Sequence, residues 1–197
     1  MTMDKDIQEK LIETGRKIIK EKGVEYLTAR KLSEASGCSV GTIYNQFGNM
    51  DNYVLVQNYL TLEALYKKLN TVDESVPYNR LNKIVQAFSE FILDNRQFWF
   101  MLFNFHLKQS AQTFSITYLR HISKIIMMIE DAFRQMYPSL KYENRHIAVQ
   151  VLWITLFGLG ALLTTDSIES YSKIEPTKLC KFLLNTYLAG IKVLERP

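Results

Sequence analysis

Residues Thr28 to Phe47, TARKLSEASGCSVGTIYNQF, decide the fold. The Thr28 hydroxyl can accept a bond from a free N–H of a first helical turn, so Thr28 opens a helix. Ala29 to Ala35 supplies helix formers, with Leu32 and Ala35 spaced to share one face. Gly37 follows where a terminating backbone turns left-handed without a Cβ penalty. Ser39 is a second N-cap, and its helix points Ile43 and Phe47 inward. Cap, short helix, glycine turn, cap and short helix make a helix-turn-helix.

Upstream, Leu11, Ile12, Gly15, Ile18 and Ile19 form an apolar stripe that predicts a helix over 4–22, ended by Gly23. Gly15 on that stripe costs about 1 kcal/mol relative to Ala in an exposed helix, so a close neighbouring helix is its expected reason. Downstream, Gly48-Asn49 leads into a long helix over 50–70 that links two domains. Past the loop 72–77, apolar periodicity predicts helices over 79–93, 96–109, 112–137 (Pro138 stopping it) and 142–165, and Pro176 opens one to 195. No segment alternates with period two. The chain is expected to be all-α with about nine helices: a head over 1–50 and a second, ligand-binding and dimerisation domain over 51–197.

With 197 residues, 47% hydrophobic and 22% charged, the chain has the composition of a folded globular protein. Its net charge of +4 permits nucleic-acid binding without demanding it. Residues 1–50 carry eight Lys/Arg against seven Asp/Glu, so affinity for DNA must come from where the charges sit. Cys38 and Cys180 lack metal spacing and read as small buried thiols, with a redox switch the alternative. The stretch 147–163 is just long and apolar enough to span a bilayer. Arg145-His146 and Asp166 bound it, and a helix buried on nearly all sides is the better reading. MTMDKDIQEK lacks the apolar run of a signal peptide, and a cytoplasmic location is expected, without a membrane role. Three histidines share no metal spacing, no GxSxG or phosphate loop occurs, and neither catalysis nor a cofactor is motivated.

The second helix of the motif turns Ser39, Val40, Gly41, Thr42, Asn45 and Gln46 outward. Such a helix places its N-terminal residues against base edges in the major groove. Asn45 and Gln46 can pair with adenine, Val40 or Thr42 can meet a thymine methyl, and Ser39 and Thr42 can reach phosphates. Taken alone, these could equally be solvated residues of a surface helix. The pattern resembles more than a bare motif, however. Glu21-Lys22-Gly23, Thr28 with Arg30-Lys31-Leu32, Gly37-Cys38-Ser39, Gly41-Thr42-Ile43-Tyr44 and Phe47-Gly48-Asn49 are similar to the TetR-type bacterial transcriptional regulators over Leu11–Tyr53. The resemblance implies a DNA-reading head, with Tyr44 on a phosphate and Arg30 near the backbone. Thr28, Arg30, Ser39, Val40, Gly41, Thr42, Tyr44, Asn45 and Gln46 are therefore the candidate DNA-binding residues. Two positions depart from the family: Met50 stands where Lys commonly meets a phosphate, and Gln46 where His is frequent.

The aromatic block Phe98-Trp99-Phe100-Met101-Phe103-Phe105, with Met127, Met128 and Trp153, lines either a ligand pocket or an ordinary core. His106, Asn104 and His121 are possible polar contacts there. Trp153–Gly158, WITLFG, looks like a Trp-x-x-x-His-Gly motif of one regulator subgroup, with Phe157 in the His position. The candidate ligand-binding set is Phe98, Trp99, Met101, Phe103, His106, Met127, Trp153 and Phe157. The resemblance also implies a homodimer formed as a four-helix bundle by the last two helices. Leu179, Phe182, Leu183, Thr186, Tyr187, Gly190 and Leu194 supply the seam. The expected function is a ligand-responsive repressor that binds a pseudo-palindromic operator as a dimer and is released by an apolar small molecule. The rival is a helical hydrophobic-ligand-binding protein with a vestigial head, for which Met50 and the near-neutral head speak.

Overall fold

A computed structural model describes residues 2–108, 116–165 and 173–194. Among them are nine α-helices and no strand: α1 Thr2–Lys22, α2 Ala29–Ser36, α3 Val40–Phe47, α4 Met50–Asn70, α5 Pro77–Asp94, α6 Arg96–Lys108, α7 Ile116–Met136, α8 Tyr142–Leu163 and α9 Pro176–Leu194. A single 3-10 turn, Val24–Tyr26, joins α1 to α2. The expected stretches 109 and 112–115, Phe114 among them, lie outside the described residues, as does Glu195.

The predicted caps form. Thr28 Oγ1 accepts from Lys31 N at 3.2 Å, Ser39 Oγ from Thr42 N at 3.0 Å, and Asn49 Oδ1 from Asn52 N at 2.7 Å. Gly37, at φ 71°, and Gly48, at φ 79°, supply the left-handed turns on either side of α3. On α2, Ser36 rather than Ala35 joins Leu32 inside, and Ala35 faces out. The Ser36 hydroxyl accepts from Cys38 N, and Ser33 donates to Cys38 O, so the turn uses polar groups that an apolar pattern cannot register. Helix α5 begins two residues before the predicted Asn79 because Pro77 suits its first turn.

The apolar side chains segregate into two cores. The head core holds Leu11, Ile18, Ile19, Leu27, Leu32, Ile43, Phe47 and Tyr53 from α1 to α4, and also Phe98 and Met101 from α6. The body core gathers α4, α5, α6, α7, α8 and α9, with Leu62, Leu65, Phe88, Trp99, Leu102, Phe133, Leu152 and Leu184 among its buried members. Cys180 lies in that core, where burial pushes its thiol up to about 11, while Cys38 is half-buried beside the head turn. Both are free thiols.

Helix α8 is long and apolar enough to cross a membrane by length and composition. Its inner side packs on the body core through Ala148, Val149, Leu152, Trp153 and Leu156. Its outer side is not covered within the described residues, contrary to the expectation of burial on nearly all sides: Ile147, Val151, Ile154 and Leu162 are exposed, Ile154 by 64%. The difference has a simple cause. A helix apolar all round shows no polar stripe to mark which side leaves the core. Helix α9 behaves alike, burying Cys180, Leu184, Leu188 and Ile191 while exposing Phe182, Val193 and Leu194.

Candidate nucleic-acid interface and aromatic hub

Helix α3 is anchored by buried Ile43 and Phe47, which leaves Ser39, Val40, Gly41, Tyr44 and Asn45 exposed and Thr42 and Gln46 partly so. With Thr28 and Arg30 at the start of α2, which packs against α3, the candidate DNA-binding residues all belong to the two helices of the motif and their caps. Two of them have structural duties: the Thr28 and Ser39 hydroxyls are occupied as caps, and Ser39 Oγ also lies 2.9 Å from Thr42 Oγ1. A Cβ on Gly41 would meet only Ser39 Oγ at 3.6 Å, an ordinary contact. The fold does not require glycine there, and its absent side chain leaves the outward surface open.

Two carboxylates that sequence reasoning passed over sit on this face. Asp4 Oδ1 accepts from Gln46 Nε2 at 3.0 Å, tying the start of α1 to a candidate base-reading side chain. Glu34 takes Arg30 Nε at 3.1 Å and Lys31 Nζ at 3.0 Å. The bonds from Lys31, then Arg30, hold the Glu34 carboxyl below its ordinary range. A phosphate approaching Arg30, whose side chain is 86% exposed, must displace that carboxylate. Glu34→Gln is thus expected to tighten binding to duplex DNA several-fold and to add about one unit to the slope of log affinity against log salt. A salt titration with equal slopes for both proteins would contradict this.

Met50 packs partly buried against the head core. At the position where the resemblance expects a phosphate-binding Lys, this chain places apolar packing instead. Behind it, α1 and α4 are joined by a buried polar lock. Tyr53 Oη donates to Leu11 O at 2.6 Å and accepts from Gln57 Nε2 at 3.0 Å, and Gln57 Nε2 also donates to Ile12 O. Burial pushes the Tyr53 phenol up to about 12. Arg16 donates to Gln57 O, and its guanidinium lies 4.0 Å from the Phe98 ring centroid. Burial lowers the Arg16 pKa from its ordinary value, and the flat cation suits the ring face. The lock therefore joins α1 to α4 and also to α6.

The candidate ligand-binding residues divide into three groups. Phe157 is a hub, with ring centroids of Trp99 at 5.1 Å, Phe103 at 5.8 Å, Trp153 at 5.7 Å and His106 at 5.0 Å. Phe98 and Met101 belong to the head core instead. Met127 is 66% exposed on α7 and borders a surface groove with Glu130, Arg134 and Tyr142. The run Phe98 to Phe103 of α6 is apolar at every position, so its pattern gave no sign that Phe98 and Trp99 enter different cores. His106 Nε2 lies 2.6 Å from Tyr118 Oη. Burial lowers the His106 pKa and raises that of Tyr118. The hub is thus an aromatic cluster with an uncharged polar edge. Gly160 makes room for it, since a Cβ there would lie 2.8 Å from Trp99 Nε1 and 2.5 Å from Ile92 Cδ1.

Residues 11–54 match the family described as bacterial regulatory proteins, tetR family. A search of curated proteins finds no match. Solved structures of similar fold include the TetR-family regulator PfmR from Thermus thermophilus, at 15% identity and a TM-score of 0.64, covering 91% of this chain and 97% of that one. The TetR-family repressor FadR from Thermus thermophilus, solved with lauroyl-CoA, aligns at 12% identity and a TM-score of 0.69 over 91% of this chain and 92% of its own. The fatty acid degradation regulator FadR from Bacillus halodurans aligns at 17% identity and a TM-score of 0.68 over 93% and 98%. The chain therefore carries the helix-turn-helix domain of the TetR family of bacterial transcriptional regulators, on a body with the fold of that family's solved members.

Proposed function

We propose that this protein is a homodimeric, effector-responsive repressor acting on DNA in the cytoplasm. The observation that carries the reading is the double membership of α6: Phe98 enters the head core, while its neighbour Trp99 enters the body and touches the Phe157 hub. An apolar molecule that wedges at the hub displaces Trp99, and a rigid helix transfers that displacement to Phe98 and the reading head. Helix α4 gives a parallel link, since Tyr53 lies in the head core and Leu62 and Leu65 in the body. Coupling of this kind needs an effector that binds the released state better, and the shift cannot exceed that difference in affinity. The likeness in fold to a repressor solved with lauroyl-CoA, a charged molecule with an apolar acyl chain, agrees with an effector that has an apolar part.

Dimerisation is supported by the uncovered sides of α8 and α9. Ile147, Val151, Thr186, Gly190, Val193 and Leu194 line a groove of about 640 Å³ between them, and Phe182 on the same helix is 73% exposed. An apolar surface of this extent suits a self-complementary partner, and packing against a copy gives a four-helix bundle. Two heads on a two-fold axis read half-sites about one helical turn, or a multiple, apart.

Sedimentation with a duplex from upstream of the chain's own gene tests the whole reading. The expected result is two chains, or a multiple of two, per duplex, dissociated by members of an apolar ligand library. A monomer on DNA would overturn the dimer, and complexes insensitive to every ligand would overturn the sensor. Ligand binding without DNA binding would support the rival with a vestigial head.

A further inference from the structure

Asn58 is fully buried, at 0% exposure, and among the described residues neither its Nδ2 nor its Oδ1 has a hydrogen-bond partner. A buried amide with both ends unpaired is destabilising by some kilocalories per mole, and few persist in folded proteins without a reason. The position is not a junction of loops. Asn58 heads a helical stripe continued by Leu62, Leu65 and Leu69, all buried in the body core. A leucine would suit that row on every structural ground. A second buried donor, Trp99 Nε1 on α6, is also without a partner among the described residues. The interior of the body thus leaves two donors and an acceptor unmatched on the two helices that reach the head.

We propose that Asn58 is the polar anchor of the effector, and that the effector is an apolar molecule with an uncharged head that both donates and accepts, as a carboxamide or an alcohol does. This rests on the reading of the body as an effector-binding domain. The head must be neutral because, among the described residues, none buried in the core carries a charge, and an ionised group placed there would lack a counter-ion. The amide of Asn58 pairs both ways with such a head. The location also accounts for leverage. The preceding residue, Gln57, binds Ile12 O and Tyr53 Oη on the head side of α4, so adjacent side chains of one helix serve the lock and the anchor.

Octanamide is the probe, with Asn58→Leu and Asn58→Ala as variants and naphthalene as an apolar control without a polar head. The protein's two tryptophans, Trp99 and Trp153, both lie in the hub and give a fluorescence readout. Wild type is expected to bind octanamide about tenfold more tightly than Asn58→Leu, the loss of one or two neutral hydrogen bonds. Asn58→Leu without ligand should melt no lower than wild type, because it removes an unpaired amide, and it should keep its affinity for DNA. Equal octanamide binding by wild type and Asn58→Leu, binding by neither, or a lower melting temperature in Asn58→Leu with Asn58→Ala showing no loss of octanamide would each overturn the anchor. Naphthalene separates the two levels: if it quenches tryptophan in both forms while octanamide does not discriminate, the body still binds effectors and only the anchor is lost.

Discussion

Tyr44→Ala is expected to weaken binding to operator DNA by about a hundredfold while leaving helix content and subunit association unchanged. The ring is 43% exposed on the outward side of α3, and among the described residues its hydroxyl has no partner. Truncating it removes little packing, since Ile43 and Phe47 hold the helix from beneath. A surface change of this kind alters stability by about 0.5 kcal/mol or less. The cost falls on binding. On the proposed reading a phenol that donates to a phosphate contributes about 1.5 kcal/mol, and the proposed dimer contains two, so about 3 kcal/mol and a factor of roughly 100 are lost. Fluorescence anisotropy at fixed salt measures it. Wild-type affinity in the variant would remove Tyr44 from the interface and with it the assignment of α3 as the reading helix.

Gly15→Ala is expected to destabilise the protein by about 3–5 kcal/mol, a large share of the roughly 5–15 kcal/mol that holds a domain of this kind folded. A Cβ on Gly15 would sit 1.8 Å from Tyr53 Oη and 2.8 Å from its Cζ. Tyr53 is fully buried, so its ring has nowhere to retreat without breaking the bonds to Leu11 and Gln57. The methyl therefore adds overpacking to the loss of a buried polar lock. Thermal unfolding should begin about 10 °C lower, and DNA binding should fall because the head no longer docks on α4. Tyr53→Leu placed on the same background should recover part of the loss, since the shorter side chain clears the new methyl. A Gly15→Ala protein that melts with wild type would refute the packing account.

Gly15 also shows how far the sequence could be read. A glycine on an apolar stripe called for a close neighbour, and the stripe said which side of α1 it lay on. It could not say that Tyr53, 38 positions along the chain, was the neighbour. The caps at Thr28, Ser39 and Asn49 were legible because each depends on residues within three positions of itself. Ser36 and Ala35 were exchanged because the hydroxyl of Ser36 is spent on Cys38 N, a bond local in sequence but invisible to an apolar pattern. Among the ligand candidates, Trp99, Phe103, His106, Trp153 and Phe157 do converge. Phe98, Met101 and Met127 do not join them, because an aromatic run fixes composition and leaves direction open.

By itself the sequence determined what depends on short separations: the nine helices found among the described residues, the caps at Thr28, Ser39 and Asn49, the helix-turn-helix, the outward face of α3 and the family of residues 11–54. Tertiary structure decided what depends on which side of an apolar helix meets which partner. It sent Phe98 to the head and Trp99 to the body, turned half of α8 outward, set Glu34 and Asp4 against the candidate reading face, and left Asn58 in the interior without a partner among the described residues. The reason is one of information. A polar stripe names the wet side of a helix, so α1 and α5 were legible, whereas α8 and the unbroken apolar run 98–103 of α6 mark no wet side and only their neighbours in space can orient them.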